Sequence, residues 1–133
     1  MIKEFLIIII TFLTVCGKSQ TVINLDTIGN QHQSKSNYLK SIDGDSLSTS
    51  FCIIIPNEVK PHKHVQHSEQ VYVLKGEGEM KLGDKIFTIK KGDLIFIPKN
   101  TVHAVKSTGV EPLKVISIQS PRFDGSDRVM VNE

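Results

Sequence analysis

His62 and His64 are separated by a single residue, and the carboxylate Glu69 follows them a short turn later. Side chains on a β-strand alternate with period two, so the two imidazoles of His62-Lys63-His64 share one face. Imidazole nitrogens and a carboxylate oxygen brought together are donors for a divalent ion, and this cluster is half of such a site. The remainder has to come from a distant strand. His103, just after Pro98-Lys99-Asn100-Thr101, is placed to supply it.

Two other residues have chemistry of their own. His67 falls in the turn between the strand carrying His64 and the strand beginning near Glu69, so alternation does not fix its direction and an exposed ring is expected. Cys52 sits within Phe51-Cys52-Ile53-Ile54-Ile55, with no charge beside it to lower its pKa, and reads as a small buried hydrophobe.

The elements that must hold these residues are short. Strands are expected at Ser50 to Ile55, His62 to His64, Gln70 to Leu74, Glu79 to Leu82, Lys85 to Ile89, Leu94 to Ile97, His103 to Val105 and Leu113 to Gln119. Turn formers separate them at Gly44-Asp45, Gly76-Glu77-Gly78, Gly83-Asp84, Lys91-Gly92-Asp93 and Pro98-Lys99-Asn100. No helical apolar period follows residue 20, so the expectation is an all-β sandwich or barrel. Val71 and Val73 share the face of Glu69, and the opposite face carries Tyr72 and Leu74. With both faces apolar, this strand is expected to be buried on both sides, one toward the cavity and one toward a partner sheet or subunit. Before residue 50 the signal is weak: Val22 to Leu25 is read as an edge strand, and the polar stretch from Gly29 to Asn37 as turns with an exposed His32. The tail from Pro121 reads as a solvated or edge-covering segment. Arg122 or Arg128 as an anion ligand is the less favoured alternative, because no clustering of basic residues focuses a field there.

With 133 residues, 39% of them hydrophobic, the chain fits one domain with a single core. The formal charge of +2 is too small to argue for nucleic acid or an anionic membrane as a partner.

Residues 1–19 read as an export signal, with Lys3 ahead of an apolar run from Phe5 to Leu13 that is too short for a comfortable transmembrane helix. Gly17 and Ser19 fit the small-residue positions of a cleavage site, which leaves Gln20 as the mature N-terminus and a periplasmic or secreted product. Lipoprotein processing at Cys16, in Leu13-Thr14-Val15-Cys16, is the rival, although Val15 is bulkier than the small residue usual there. An uncleaved anchor is a third reading. Cleavage after Ser19 removes Cys16 and leaves Cys52 without an intramolecular partner. The organisation read from the sequence is therefore a signal over 1–19, an N-terminal segment over 20–49, a β-barrel core over 50–120 and a tail over 121–133.

The pattern His62-x-His64-x4-Glu69-x6-Gly76 resembles the first motif of the cupin superfamily, and Gly92-x5-Pro98-x-Asn100-x2-His103 resembles most of the second. The resemblance spans roughly residues 50 to 120 and implies an antiparallel jelly roll of two sheets. Three positions depart from it. Pro56, Asn100 and Ser107 stand where two glycines and an asparagine are expected, which alters turns without touching a ligand.

The resemblance implies His62, His64, Glu69 and His103 as ligands of one divalent transition metal per chain: Fe, Mn, Ni, Cu or Zn. Three neutral imidazoles and one carboxylate suit such an ion better than a hard Ca²⁺, and leave positions open on an octahedral one. Two functions are implied. One is a small metal-dependent enzyme acting on a small molecule, of oxygenase or isomerase/lyase type; the other is a non-catalytic module holding a sugar, a metal or another small ligand. Apart from the ligands there is no clear general acid or base, and Val71, Val73 and Val105 imply an apolar lining, which favours metal-centred chemistry. By analogy with small single-domain members, a homodimer is expected.

Overall fold

Among the described residues ten strands follow one another with turns of a few residues between most of them, and they pair into two five-stranded antiparallel sheets. The computed structural model describes residues 22–132. The expected export signal and Cys16 lie outside the described residues. One sheet has the order β1 (Tyr38–Gly44), β2 (Thr49–Ile55), β9 (Leu113–Ser120), β4 (Ser68–Lys75), β7 (Leu94–Ile97). The other runs β10 (Val129–Met130), β3 (Glu58–Lys63), β8 (His103–Ser107), β5 (Glu77–Leu82), β6 (Lys85–Lys90). This is the two-sheet jelly roll that the short, turn-punctuated strands require.

Register fixes what faces inward. Glu69 pairs with Gln119, Val71 with Ser117 and Val73 with Val115, so these six side chains share the inner face of the first sheet. Thr49, Phe51, Ile53 and Ile55 extend that face across β2. The core between the sheets is built from Ile55, Val71, Val73, Met80, Ile89, Ile95, Ile97, Leu113 and Val115. At roughly 1.5–3 kcal/mol for each buried aliphatic side chain, this cluster supplies the main driving force for closing the two sheets.

Several expectations are corrected. Among the described residues no further sheet covers the outer face of β4 at Tyr72, which is 41% exposed, while Leu74 on that face is half-buried. An antiparallel sheet needs only one buried face, and β4 buries the one with Glu69, Val71 and Val73. Val22 to Leu25 forms no strand; Leu25–Thr27 is a single 3₁₀ turn whose N-cap is Asn24, its side chain accepting from the Asp26 amide at 2.9 Å. That segment instead covers the outer face of the first sheet, where the ammonium of Lys114 donates to the carbonyls of Leu25 and Ile28 at 2.6 and 2.8 Å. Beneath it Cys52 is fully buried, and burial pushes its thiol pKa up, as expected of a core hydrophobe. His32 is half-buried rather than exposed, with Nε2 2.8 Å from the Ser36 carbonyl. Strand β1 is an element the sequence reading missed. Among the described residues no helix is long and apolar enough to cross a membrane.

Candidate metal centre

The cross-strand partners His62 and His103 bring two imidazoles together on the inner face of the second sheet. His64 lies one residue past the end of β3, with its ring centroid 5.2 Å from that of His62 and 5.3 Å from that of His103. All three rings are buried, and their donor atoms lie within 4.8 Å of one another. Glu69 approaches from the facing sheet, and its Oε2 is 3.5 Å from Nε2 of His64 and 3.3 Å from Nε2 of His103. The four residues named from the sequence are thus brought to one place.

The hydrogen bonds of each ring determine which nitrogen faces the cluster. Nδ1 of His62, His64 and His103 lies against the carbonyls of Lys60, Asp127 and Thr101 at 2.8, 2.5 and 3.0 Å. A carbonyl only accepts, so each Nδ1 carries the hydrogen, and in the neutral ring each Nε2 turns a lone pair inward. Nε2 of His64 and of His103 are buried without a hydrogen-bond partner, their contacts with Glu69 being too long or poorly aligned to count as one. Two imidazole lone pairs and a carboxylate oxygen facing each other repel unless a cation sits among them. That cation is a proton on one of the rings or a metal ion in its place, and the donor set fits a divalent ion. Bonds of about 2.1 Å place two nitrogens on one ion at most about 4.2 Å apart, a small side-chain adjustment from the observed spread.

The charges follow from the surroundings. Burial alone would raise the Glu69 carboxyl pKa, but contacts with His103 and His64 and the hydroxyl of Ser117 outweigh it and hold the group well below the usual carboxylate range. His62 is pushed down to about 4, first by burial and then by neighbouring His103. Burial also pulls His64 down, yet Glu69 and the Asp127 carbonyl prevail and its pKa is raised.

His67 is corrected most sharply, being 6% exposed. It is covered by the tail, with Nδ1 2.6 Å from the Asp127 carboxylate, Nε2 3.0 Å from the Arg122 carbonyl and Phe123 edge-on at 5.2 Å. Its ring takes no part in the cluster. Above the four ligands opens a cavity of about 220 Å³ whose walls are mostly apolar, among them Val71, Met80, Ile97, Val105, Leu113 and Val115. Val73, expected in the lining, lies in the core instead.

The signature of the cupin domain matches residues 50–119. The chain belongs to the cupin family. An uncharacterized protein of Aquifex aeolicus is 39% identical over 83 residues, which is 62% of this chain and 68% of that one. The mannose-1-phosphate guanylyltransferase RfbM of Salmonella typhimurium is 34% identical over 67 residues, half of this chain but only 14% of the enzyme. Among solved structures, an uncharacterized conserved protein of Klebsiella pneumoniae with a double-stranded β-helix domain superposes with a TM-score of 0.71 at 18% identity, over 86% of this chain and all of that one. At that identity the likeness is one of fold.

Three contributors to this cupin's site were not read from the sequence. Asp127 holds the loop carrying His64 and His67. Ser117 donates to Glu69, and because that hydrogen is spent on an acceptor-only carboxylate, the Ser117 oxygen is left to accept from Nε2 of Gln119 at 3.5 Å. This orients the Gln119 amide and leaves its Oε1 buried without a partner among the described residues. A signal for the pair was present: the inward positions of β9 run Leu113, Val115, Ser117, Gln119, turning polar as the strand reaches the site. No spacing rule pointed to Asp127.

Proposed function

We propose that this cupin holds one divalent transition-metal ion per chain on His62, His64, Glu69 and His103 and offers it to a small molecule in the apolar cavity. The observation that carries this reading is the pair of buried, unpartnered Nε2 lone pairs on His64 and His103, directed at the same Glu69 oxygen by carbonyls behind each ring. An ion there polarises an oxygen or carbonyl group of the bound molecule, or works with oxygen if it is Fe, Mn, Cu or Ni. The chain's own part is to keep three imidazoles in their metal-binding tautomer, to hold Glu69 ionised and to surround the bound molecule with a dry wall.

Metal-centred chemistry, of oxygenase or isomerase/lyase type, is favoured over acid–base chemistry because the carboxylate in the cavity is already engaged by two histidines and Ser117. Binding without turnover is the second reading, and a metal assay alone does not separate the two. Elemental analysis of the protein refolded with a full set of metals is expected to find close to one ion per chain; none would remove the basis of the proposal. His62→Ala and His103→Ala are each expected to abolish it.

Export and self-association belong to the same proposal. Mass spectrometry of protein from its native host is expected to begin at Gln20, whereas a diacylglyceryl Cys16 would establish the lipoprotein route. Tyr72, Leu94, Phe96 and Ile118 are exposed on the outer face of β9, β4 and β7, a placement that supports a homodimer with a second copy across that face. A monomer by light scattering at micromolar concentration would remove that part.

A further inference from the structure

The cavity above the histidines is polarised along the strands. At one end the register sets His62 against His103, Glu69 against Gln119 and Gln119 against Thr49. At the other it sets Val59 against Val105 and Ile55 against Leu113. Polar groups therefore gather at the metal end, and the opposite end is mainly hydrocarbon, with Asn37 at its edge, its side-chain amide already donating to the Glu58 carbonyl at 2.8 Å. Of the side chains lining this cavity, Arg128 is the cationic one. It sits on the tail between Asp127, which is fixed by four hydrogen bonds to its carboxylate, and β10, which pairs Val129 with Lys63 and Met130 with His62. Its backbone is thus pinned on both sides, next to a ligand strand. The guanidinium is exposed and, among the described residues, forms no hydrogen bond or ion pair, while Glu69, the carboxylate of the cavity, is engaged by His64, His103 and Ser117.

We infer that the ligand of this cavity is a small organic acid with an apolar body, its carboxylate held by Arg128 at the metal end and its hydrocarbon part against the walls built by Val71, Met80, Val105 and Leu113. The inference rests on the proposed metal for the second partner of the head group. Three neutral imidazoles and one carboxylate leave a divalent ion with a net positive charge, Arg128 adds another, and a single carboxylate answers both. Arginine is suited to this task because its planar donors match the two oxygens of a carboxylate. A neutral molecule of the same shape would fill the walls but leave the guanidinium without a partner, and a larger sugar-like ligand would set many hydroxyls against hydrocarbon.

Hexanoate and its neutral counterpart hexanamide test the assignment by calorimetry on the zinc-loaded protein. Hexanoate is expected to bind, and Arg128→Gln to weaken it by on the order of tenfold to a hundredfold, the worth of a charge-assisted hydrogen bond. Hexanamide is expected to bind more weakly and to be indifferent to the same substitution. Among the described residues the Arg128 side chain forms no hydrogen bond or ion pair, so the variant is expected to keep its fold, which an unchanged melting temperature verifies. No detectable hexanoate binding, equal affinity in Arg128→Gln, or equal affinity for the amide would each overturn the inference. If the protein takes up no metal, the metal reading fails separately. Amide chemical-shift titration of the metal-free protein with hexanoate then decides the role of Arg128 alone, with saturable shifts lost in Arg128→Gln upholding it and shifts unaffected by the substitution refuting it.

Discussion

The carbonyl of Asp127 lies 2.5 Å from Nδ1 of His64, while the Asp127 carboxylate receives the backbone N–H groups of Val65, Gln66 and His67 at 2.9, 2.7 and 3.1 Å. One residue of the tail thus fixes both the tautomer of a proposed ligand and the loop that carries it. The carboxylate is held well below its usual range: desolvation opposes this, but the His67 ring and the three amides outweigh it. Phe123 packs edge-on to His64 and His67 at 5.3 and 5.2 Å, closing the same corner from another side.

Replacing Asp127 by Ala removes the carboxylate that caps the loop but keeps the carbonyl, so His64 is left with its partner on an untethered tail. Metal affinity is expected to fall about tenfold to a hundredfold, the usual effect of losing a group that orients a ligand. Competition with a chromophoric chelator measures it. His67→Ala is expected to leave the stoichiometry at one ion per chain and to lower stability by about 1–3 kcal/mol through the buried partners left unpaired. Loss of metal in that variant would mean the ligand set has been misassigned.

Binding of the ion is expected to release a proton. His64 has its pKa raised above its ordinary 6.5, so between that value and the raised one the metal-free ring holds a proton that the metal must displace. His62, pushed down to about 4, is already neutral there. Apparent affinity for Zn²⁺ should therefore rise with pH through this window, with up to one proton released per ion from His64. Calorimetry in buffers of different ionisation enthalpy counts it. A pH-independent affinity with no release across that range would contradict the charge assigned to His64.

Much of this was legible in the sequence because two periodicities coincide. Alternation in β4 put Glu69, Val71 and Val73 on one face, and the histidine pair needed only a facing strand to become a cluster. What stayed hidden depends on distant partners. In β1 the residues facing inward are Leu39 and Ser41, paired with Ile53 and Phe51, too mixed a pattern to read as a strand before β2 is alongside. His67 looked exposed because its covering residues, Phe123 and Asp127, lie more than fifty positions away in a tail with no period of its own. On the second face of β4 the apolar pattern did not say whether a sheet or a second subunit would cover it, and within the described residues no further sheet lies over Tyr72.

Ser117 is fully buried and donates to Glu69, so Ser117→Ala leaves a buried carboxylate short of a donor. A loss of about 1–3 kcal/mol in stability is expected at neutral pH. The sign with pH follows from the lowered pKa of Glu69: its contribution is present above the unfolded carboxyl value of about 4.3 and is lost as pH falls through the folded one. The gap between wild type and variant should accordingly persist at about pH 4 and narrow only as pH falls further toward the lowered folded value. Urea denaturation of the metal-free proteins at pH 7 and below pH 4 tests this, and a gap that stays constant would place the role of Ser117 elsewhere.

Two positions with left-handed backbone differ in what they tolerate. Asn100, at φ 61°, stands where the family pattern has glycine, and its amide donates to the His64 carbonyl at 2.7 Å, tying the turn before His103 to the loop after His62. Asparagine accepts this conformation at small cost, so Asn100→Gly is expected to change stability by less than about 1 kcal/mol, with metal affinity unchanged. Asn100→Val, whose branched side chain resists positive φ, should cost about 1–3 kcal/mol and loosen both histidines together. Gly76, at φ 79°, has no such latitude, because an added Cβ would lie 2.8 Å from the Pro112 carbonyl oxygen and 3.1 Å from the Leu113 Cα. Both neighbours are backbone and cannot swing aside, so Gly76→Ala must push β4 away from the start of β9, where Leu113 enters the core. It is expected to lower the melting temperature more than Asn100→Val does, even though Gly76 is farther from the ligands, and a Gly76→Ala protein as stable as wild type would show that the turn can shift without disturbing the core.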